Sequence, residues 1–254
     1  MLVRYVGLAR ELGAGEVIVV GTEPLRVAAD ADWVTREVEP AIGTRFQVLD
    51  HDDEGFLTLI GVTGGRRSRV EMVVADVGGG STELVVAGPR RRPAATGLRL
   101  GSARLTARFV SHDPPTRSEV KALRQAARTE LAASPDATPE EIVGVGGTAS
   151  NLVKIIPPAA LADPTLTTAM IDEAFALLLE HPTTVVSDVY GVKPARAAML
   201  PAGAAIMGAI LERYDSDRMT VIDTGIREGL VHVASRAGDG WRERLRDLSA
   251  GWRD

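Results

Sequence analysis

The stretch "VVADVGGGSTELVV", residues 73–86, sets Asp76 just before three consecutive glycines and puts Ser81, Thr82 and Glu83 directly after them. Glycines in a turn can adopt backbone angles closed to other residues, and without Cβ atoms their N–H groups can converge on an anion. Such a loop suits phosphate. A carboxylate beside bound phosphate repels it unless a cation or a polarised water lies between, so Asp76 points to metal-assisted or water-mediated phosphate chemistry. The plainer alternative is a β-hairpin with a glycine-rich turn. A dinucleotide or Walker loop would lead from its glycines into a helix, and the Walker loop also needs Gly-Lys-Ser/Thr, whereas "STELVV" reads as a strand.

Two more loops repeat the theme. "GVGGTASNLVKI" runs from a strand through Gly144, Gly146 and Gly147 into a helix for which Thr148 or Ser150 is the expected cap. Helix N-termini attract anions through their free N–H groups and the helix dipole. "VIDTGIREGLV" again passes from strand to glycine to helix, between Asp223 and Val231.

The elements that must hold these loops read as mixed α/β. A helix is expected over Leu2–Leu12, a strand over Glu16–Val20, a helix opened by Thr22 and Pro24 and closed by Gly43, and a strand at 46–50. Strand, helix, strand is the grammar of a parallel sheet. Helices are expected near 52–62, 117–133, 171–179 and 196–214, strands at 71–75, 82–87, before Gly146 and at 219–223, and a helical stretch at the end. Composition shifts at Gly64 and Gly65, which places the boundary between a domain of residues 1–65 and one of residues 66–254, the last helix being free to pack back on the first.

Composition excludes several function classes. The 254 residues contain no Cys, so disulfides, thiolate metal sites and Cys nucleophiles are out, and a cytoplasmic location is expected. A net charge of −5 argues against a general grip on nucleic acid. Arg4, Arg10 and Glu11 interrupt the N-terminal apolar run, so neither a signal peptide nor a membrane anchor is expected there. "SHDPP" at 111–115 sets Ser, His and Asp side by side, but a triad is assembled in space, and a loop is expected. His51, His112, His181 and His232 show no ligand spacing, and "RRSR" at 66–69 and "RRR" at 90–92 read as solvated turns.

In order along the chain, "GTEPLRVAAD", "LDHDDEGFLTLIGV", "ADVGGGSTELVV", "LGSARLTARF", "GVGGTASNL", "RAAMLPAGAAIM" and "DTGIREGLV" resemble the exopolyphosphatase and guanosine pentaphosphate phosphohydrolase (Ppx/GppA) family of the actin-like superfamily. The resemblance implies an α/β, actin-like (ribonuclease H-like) ATPase fold of two domains. It implies cleavage of terminal phosphoanhydrides of inorganic polyphosphate or guanosine pentaphosphate, with Mg²⁺ and a water-activating glutamate. Matched position by position, that glutamate is Glu54. On the residues alone, Asp52, Asp53 and Glu54 equally suit an ordinary helix N-terminus.

By the same matching, Asp76 and Glu83 are expected to act in catalysis and hold Mg²⁺, and Arg26 to bind substrate phosphate. Gly78, Gly79, Gly80 and Ser81 are expected to cradle phosphate, as are Gly146, Gly147 and Thr148. Arg227 and Glu228 match a C-terminal signature of the superfamily. A homodimer is also implied, with no nucleic-acid or membrane partner.

The family's first phosphate loop, an Asp-x-Gly-Ser-Asn-Ser-like hairpin, has no counterpart in the sequence, so residues 1–65 are expected to be a remnant of the first domain and the chain a fragment. Two parallel strands are marginal alone, and poor solubility or binding of a hydrophobic dye is expected. Three functional readings stand: a phosphoanhydride hydrolase, a non-catalytic polyphosphate or alarmone binder, and another actin-like ATPase or sugar-kinase relative.

Overall fold

A computed structural model describes residues 1–156 and 164–252 of the chain. Packing divides it into two units, Met1–Asp50 and His51–Asp254.

The first unit contains α1 (Leu2–Glu11), β1 (Val19–Gly21), α2 (Glu23–Arg26), α3 (Ala31–Ile42) and β2 (Phe46–Val48). The strands pair in parallel, Val19 opposite Phe46 and Gly21 opposite Val48. The single helix expected between them is broken: Thr22 and Pro24 open a four-residue helix, and a second helix ends at Gly43 in the left-handed conformation, φ 64°. That conformation is nearly free for glycine and closes a helix. The core of this unit is Val6, Val19 and Ile42, with Val17, Val38 and Phe46 packed around them.

The second unit contains α4 (His51–Thr63), β3 (Met72–Val77), β4 (Thr82–Gly88), β5 (Arg91–Leu98), α5 (Ser102–Phe109), α6 (Arg117–Leu131), β6 (Glu141–Val145), α7 (Gly146–Ile155), β7 (Thr165–Thr167), α8 (Thr168–Glu180), α9 (Thr183–Tyr190), α10 (Pro194–Ala197), α11 (Leu200–Arg213), β8 (Arg218–Ile222), α12 (Ile226–Ala237) and α13 (Trp241–Ser249). Among the described residues its sheet has six strands in the order β5-β4-β3-β6-β8-β7. β3, β6 and β8 run parallel, while β4, β5 and β7 are antiparallel to their neighbours.

Alternation along β3 sends its side chains to two different cores. Val73, Ala75 and Val77 join Leu84, Leu105, Leu123, Leu152 and Ile206 in the large core between the sheet and α5, α6, α7 and α11. Met72 and Val74 join Val85, Ala87 and Val143 on the other face, beneath Leu59 of α4. Asp76 shares this second alternation, so the sheet register aims it to the α4 side.

Helix α4 is buried from Asp53 to Gly61, which explains its lack of an amphipathic stripe. Glycines set its depth. A Cβ on Gly55 would lie 2.9 Å from Val85 Cγ2, one on Gly61 2.1 Å from Gly225 O, and one on Gly229 of α12 1.9 Å from Leu57 O. The helix is therefore wedged, backbone to backbone, between the sheet and α12.

Composition places a boundary at Gly64–Gly65, whereas the packing division falls after Asp50. Both glycines have left-handed φ, 61° and 74°, and Gly65 N donates to Ile60 O at 3.1 Å, so they terminate α4. The closing helix packs on α4 within the second unit, where Arg242 donates to Asp53.

Four elements, β5, α5, β7 and α9, have no counterpart among those expected from the sequence. Arg91 and Arg92 belong to β5 and not to a solvated turn, which makes the expected hairpin a three-stranded meander. α5 and β7 are short, and the expected helix at 196–214 is split into α10 and α11 ahead of Pro201.

Candidate functional site

The site is assembled at the end of β3. Asp76 pairs directly across from Glu83 at the start of β4, so their side chains share one face, the face covered by α4. One turn into α4, Glu54 lies against the same edge. Its carboxylate, that of Glu83 and the His51 ring place ligand atoms within 4.8 Å of one another. Thr58, one helical turn beyond Glu54, donates to Asp76 Oδ2 at 3.4 Å. Both glutamates are buried, 4% and 3% exposed.

The turn 78–81 achieves its shape differently from the expectation. Neither Gly78 nor Gly79 has a left-handed φ. Gly78 N donates to Ser81 O at 3.0 Å, and the carbonyls of the loop are held by the start of α5. Ser102 N and Oγ both donate to Gly78 O, at 3.0 and 3.1 Å, Arg104 N donates to Gly79 O at 3.0 Å, and Arg104 Nε to Gly80 O at 3.0 Å.

In a trans peptide the N–H points opposite to the C=O. The amides of Gly79, Gly80 and Ser81 are therefore turned away from α5, as a row of donors. Close approach is what demands small residues: a Cβ on Gly101 would sit 2.3 Å from Gly79 O.

The second loop abuts the first. Gly146, with φ 87°, opens α7, and a Cβ there would lie 2.7 Å from Asp76 Oδ1. Thr148 does not cap α7. Its Oγ1 donates to Val77 O at 2.7 Å and ties the helix to β3, while Ser150 Oγ donates back to Gly146 O at 3.2 Å. A Cβ on Gly147 would be 3.6 Å from the Arg196 guanidinium. Burial raises the Asp76 carboxyl above the usual carboxylate range, opposed by the Thr58 hydrogen bond.

Glu54, Asp76, Glu83, Gly78, Gly79, Gly80, Ser81, Gly146, Gly147 and Thr148 all belong to this region of the second unit. Arg26 belongs to the first unit, where its Nη1 donates to Leu49 O at 2.6 Å. Arg227 lies 4.0 Å from Glu228, whose Oε2 accepts from Gly225 N at 2.7 Å and so caps α12. At 111–115 the loop expectation holds: His112 Nδ1 faces Glu119 at 2.9 Å while Asp113 Oδ1 accepts from Thr183 N at 2.8 Å, so the two point to different partners.

His51 is the residue that spacing missed. It opens α4, and its Nδ1 lies 2.8 Å from Glu83 Oε1, a partner 32 positions away. A search for histidines spaced from one another has no access to that pairing. Arg104 and Ser102, which hold the loop, lie in "LGSARLTARF", whose residue types carry no local signal for that role.

The family model of the Ppx/GppA phosphatases matches residues 1–235. Exopolyphosphatase 1 of Mycobacterium leprae is 28% identical over 241 residues, 89% of this chain and 70% of that protein. Guanosine-5'-triphosphate,3'-diphosphate pyrophosphatase of Aliivibrio fischeri is 25% identical over 227 residues, 88% of this chain, which spans 46% of that relative's length. A solved Ppx-GppA enzyme of Aquifex aeolicus superposes with a TM-score of 0.78 at 30% identity, covering 91% of this chain and 79% of its own. A further structure of the Aquifex aeolicus family member gives a TM-score of 0.81 at 28% identity, covering 94% of this chain and 80% of its own. With glycine loops, carboxylates and strand order in one arrangement and a family match along most of its length, the chain belongs to the Ppx/GppA phosphatase family and has its actin-like α/β fold.

Proposed function

We propose that this chain is a phosphoanhydride hydrolase that removes terminal phosphate from inorganic polyphosphate or guanosine pentaphosphate. The observation that carries the reading is the convergence of buried Glu54 and Glu83 with Asp76 beside two loops that offer amides at the end of one sheet. The relatives named exopolyphosphatase and guanosine pyrophosphatase act on phosphoanhydrides by name, and the donors here suit the same bond.

The amides of Gly79–Ser81 and the N-terminus of α7 at Gly146–Thr148 would receive the charged oxygens of the terminal phosphate. Glu54 would accept a proton from a water aligned with the phosphorus. The water oxygen bonds to phosphorus as the bridging P–O bond breaks, giving orthophosphate and a substrate shorter by one phosphate. The oxygen donors of Asp76 and Glu83 fit a hard divalent cation such as Mg²⁺, which would neutralise phosphate charge when bound. Arg26 would contribute a bidentate phosphate contact from the first unit, and the assembly proposed is a homodimer, checked by light scattering.

Phosphate release from both substrates, measured with Mg²⁺ for the chain and for Glu54→Gln, tests the reading. Release lost in the variant supports it. Tight binding of either substrate by the unmodified chain without release selects the non-catalytic binder instead, and phosphorylation of an added acceptor by ATP selects a kinase relative.

A further inference from the structure

Helices α6, α8 and α11 pack on the face of the sheet opposite α4, and between them lies a cavity of about 290 Å³ that the phosphate site does not use. Its floor is aliphatic, made by Ile171 of α8 and by Ala204, Ala205, Gly208 and Ala209 of α11. The small residues create the depth, since a Cβ on Gly208 would already stand 3.4 Å from Ile171 Cγ2. One wall is α6, which presents Arg124 and Arg128. Four residues apart, these guanidinia are neighbours on one helix face, a like-charge spacing that is unfavourable unless something negative stands beside it.

Each has an acid on another helix. Arg124 Nη2 donates to Asp172 Oδ1 of α8 at 2.6 Å, and Arg128 Nε to Glu212 Oε2 of α11 at 2.8 Å. The two partners differ in depth: the arginine side chains are 38% and 49% exposed, those of Asp172 and Glu212 70% and 57%. The cations therefore line the cavity while the acids stand at its rim. Each pair uses a single N–H of a guanidinium that has five, which leaves donors for a second acceptor. Exposed pairs of this kind are weak, so the acids yield readily to a competing carboxylate.

The cavity's aromatic ring, Phe175, is buried and has the Arg124 guanidinium over one face, 4.4 Å from the centroid, so it offers a ligand little stacking surface. Aliphatic contact is what the floor provides. At about 30 Å³ per water-sized group, the volume takes roughly ten non-hydrogen atoms, too few for a nucleotide.

We propose that this cavity binds a small aliphatic monocarboxylate, its chain on the floor between α8 and α11 and its carboxylate bridging Arg124 and Arg128. Binding there needs neither phosphate nor turnover, so it can fail while hydrolysis stands, or the reverse.

The experiment is a calorimetric titration of the full chain with octanoate, an acid of that size, beside acetate and 1-octanol. Octanoate should saturate at a single equivalent with a Kd below about 1 mM. Acetate lacks the chain and 1-octanol the charge, and each should bind about 10-fold more weakly or worse. Arg124→Gln and Arg128→Gln, at half-exposed positions that the fold does not depend on, should each weaken octanoate by about 10-fold. Asp172→Asn, which releases Arg124 from its acid, should tighten it by about 2-fold or more. Leu8→Gln, at an exposed apolar position of the first unit, should leave it unchanged. No saturable octanoate binding, equal affinity for 1-octanol, affinity retained in either arginine variant, weaker binding in Asp172→Asn or binding lost in Leu8→Gln would overturn the proposal.

Discussion

Residues 1–50 and residues 51–254 both build helices onto a sheet, and they differ in how completely the sheet and its helices are covered. The first unit has two strands and a core of Val6, Val19 and Ile42, while Tyr5, Leu8, Leu12 and Trp33 stand 58, 48, 79 and 58% exposed. The second buries both faces of a six-stranded sheet; of the carboxylates of the site, Asp76 and Glu83 sit on that sheet and Glu54 on a helix wedged against it by Gly55, Gly61 and Gly229. A small unit buries a smaller fraction of its surface than a large one, so it holds side chains less firmly. The residues proposed to activate water and to hold a cation, Glu54, Asp76 and Glu83, lie in the well-covered unit. The one proposed phosphate ligand outside it, Arg26, would have a role that tolerates reach and adjustment.

The largest effect that could break this contrast is on turnover. Glu54→Gln should lower phosphate release by roughly 10²–10⁴-fold, the usual worth of a positioned base, whereas Arg26→Ala should act mainly on KM. Equal loss of kcat in both variants would place the first unit in the chemistry as deeply as the second.

Next comes packing. Gly229→Ala drives a Cβ to 1.9 Å from Leu57 O and must part α12 from α4, an overpacking expected to cost on the order of 3 kcal/mol and to lower Tm by roughly 2–4 °C per kcal/mol. Calorimetry of the variant checks this, and an unchanged Tm would show that α4 is not wedged.

Asp76→Asn should do the opposite. Burial raises the native Asp76 carboxyl, so the folded chain holds its proton to higher pH than the unfolded chain does. Stability therefore falls as pH rises from about 3.9, the ordinary Asp value, through the raised native value, and the penalty is fully present above that window. Asn removes the penalty: Tm should rise at pH 7 and the gain should vanish below about pH 4. A gain that persists in acid would trace to something other than the charge.

The smallest effect is at the surface of the first unit. Leu8→Gln, at a half-exposed position on α1, should change unfolding free energy by no more than about 0.5 kcal/mol, yet reduce binding of a hydrophobic dye. Dye binding unchanged by this substitution would place the exposed apolar surface elsewhere.

Much of this was legible in order along the chain. Strand runs at 71–75 and 82–87, the glycine turn between them and the strand-to-helix step at Gly146 all stand where the periodicity puts them, because alternation and glycine are local signals. Other features were misread for equally physical reasons. The Gly64–Gly65 pair serves as a helix terminator, a role that composition alone does not separate from a linker. β5 carries arginines and a proline where strand statistics expect β-branched residues, because an edge strand can keep one side in solvent. The sequence offers Thr148 as a cap because caps are sequence-local, but its hydroxyl answers Val77, 71 positions away.

The sequence by itself determined the elements and the residue types fit for phosphate chemistry, since backbone propensity, alternation and the special freedom of glycine act over a few residues. Tertiary structure decided which of those residues meet. Register across β3 and β4 sets Asp76 opposite Glu83, the start of α5 turns the loop amides outward, and the missing Cβ of Gly97 admits His51 to Glu83. Each of these is a contact between segments far apart in the chain, fixed only when the sheet closes and the helices are packed against its two faces.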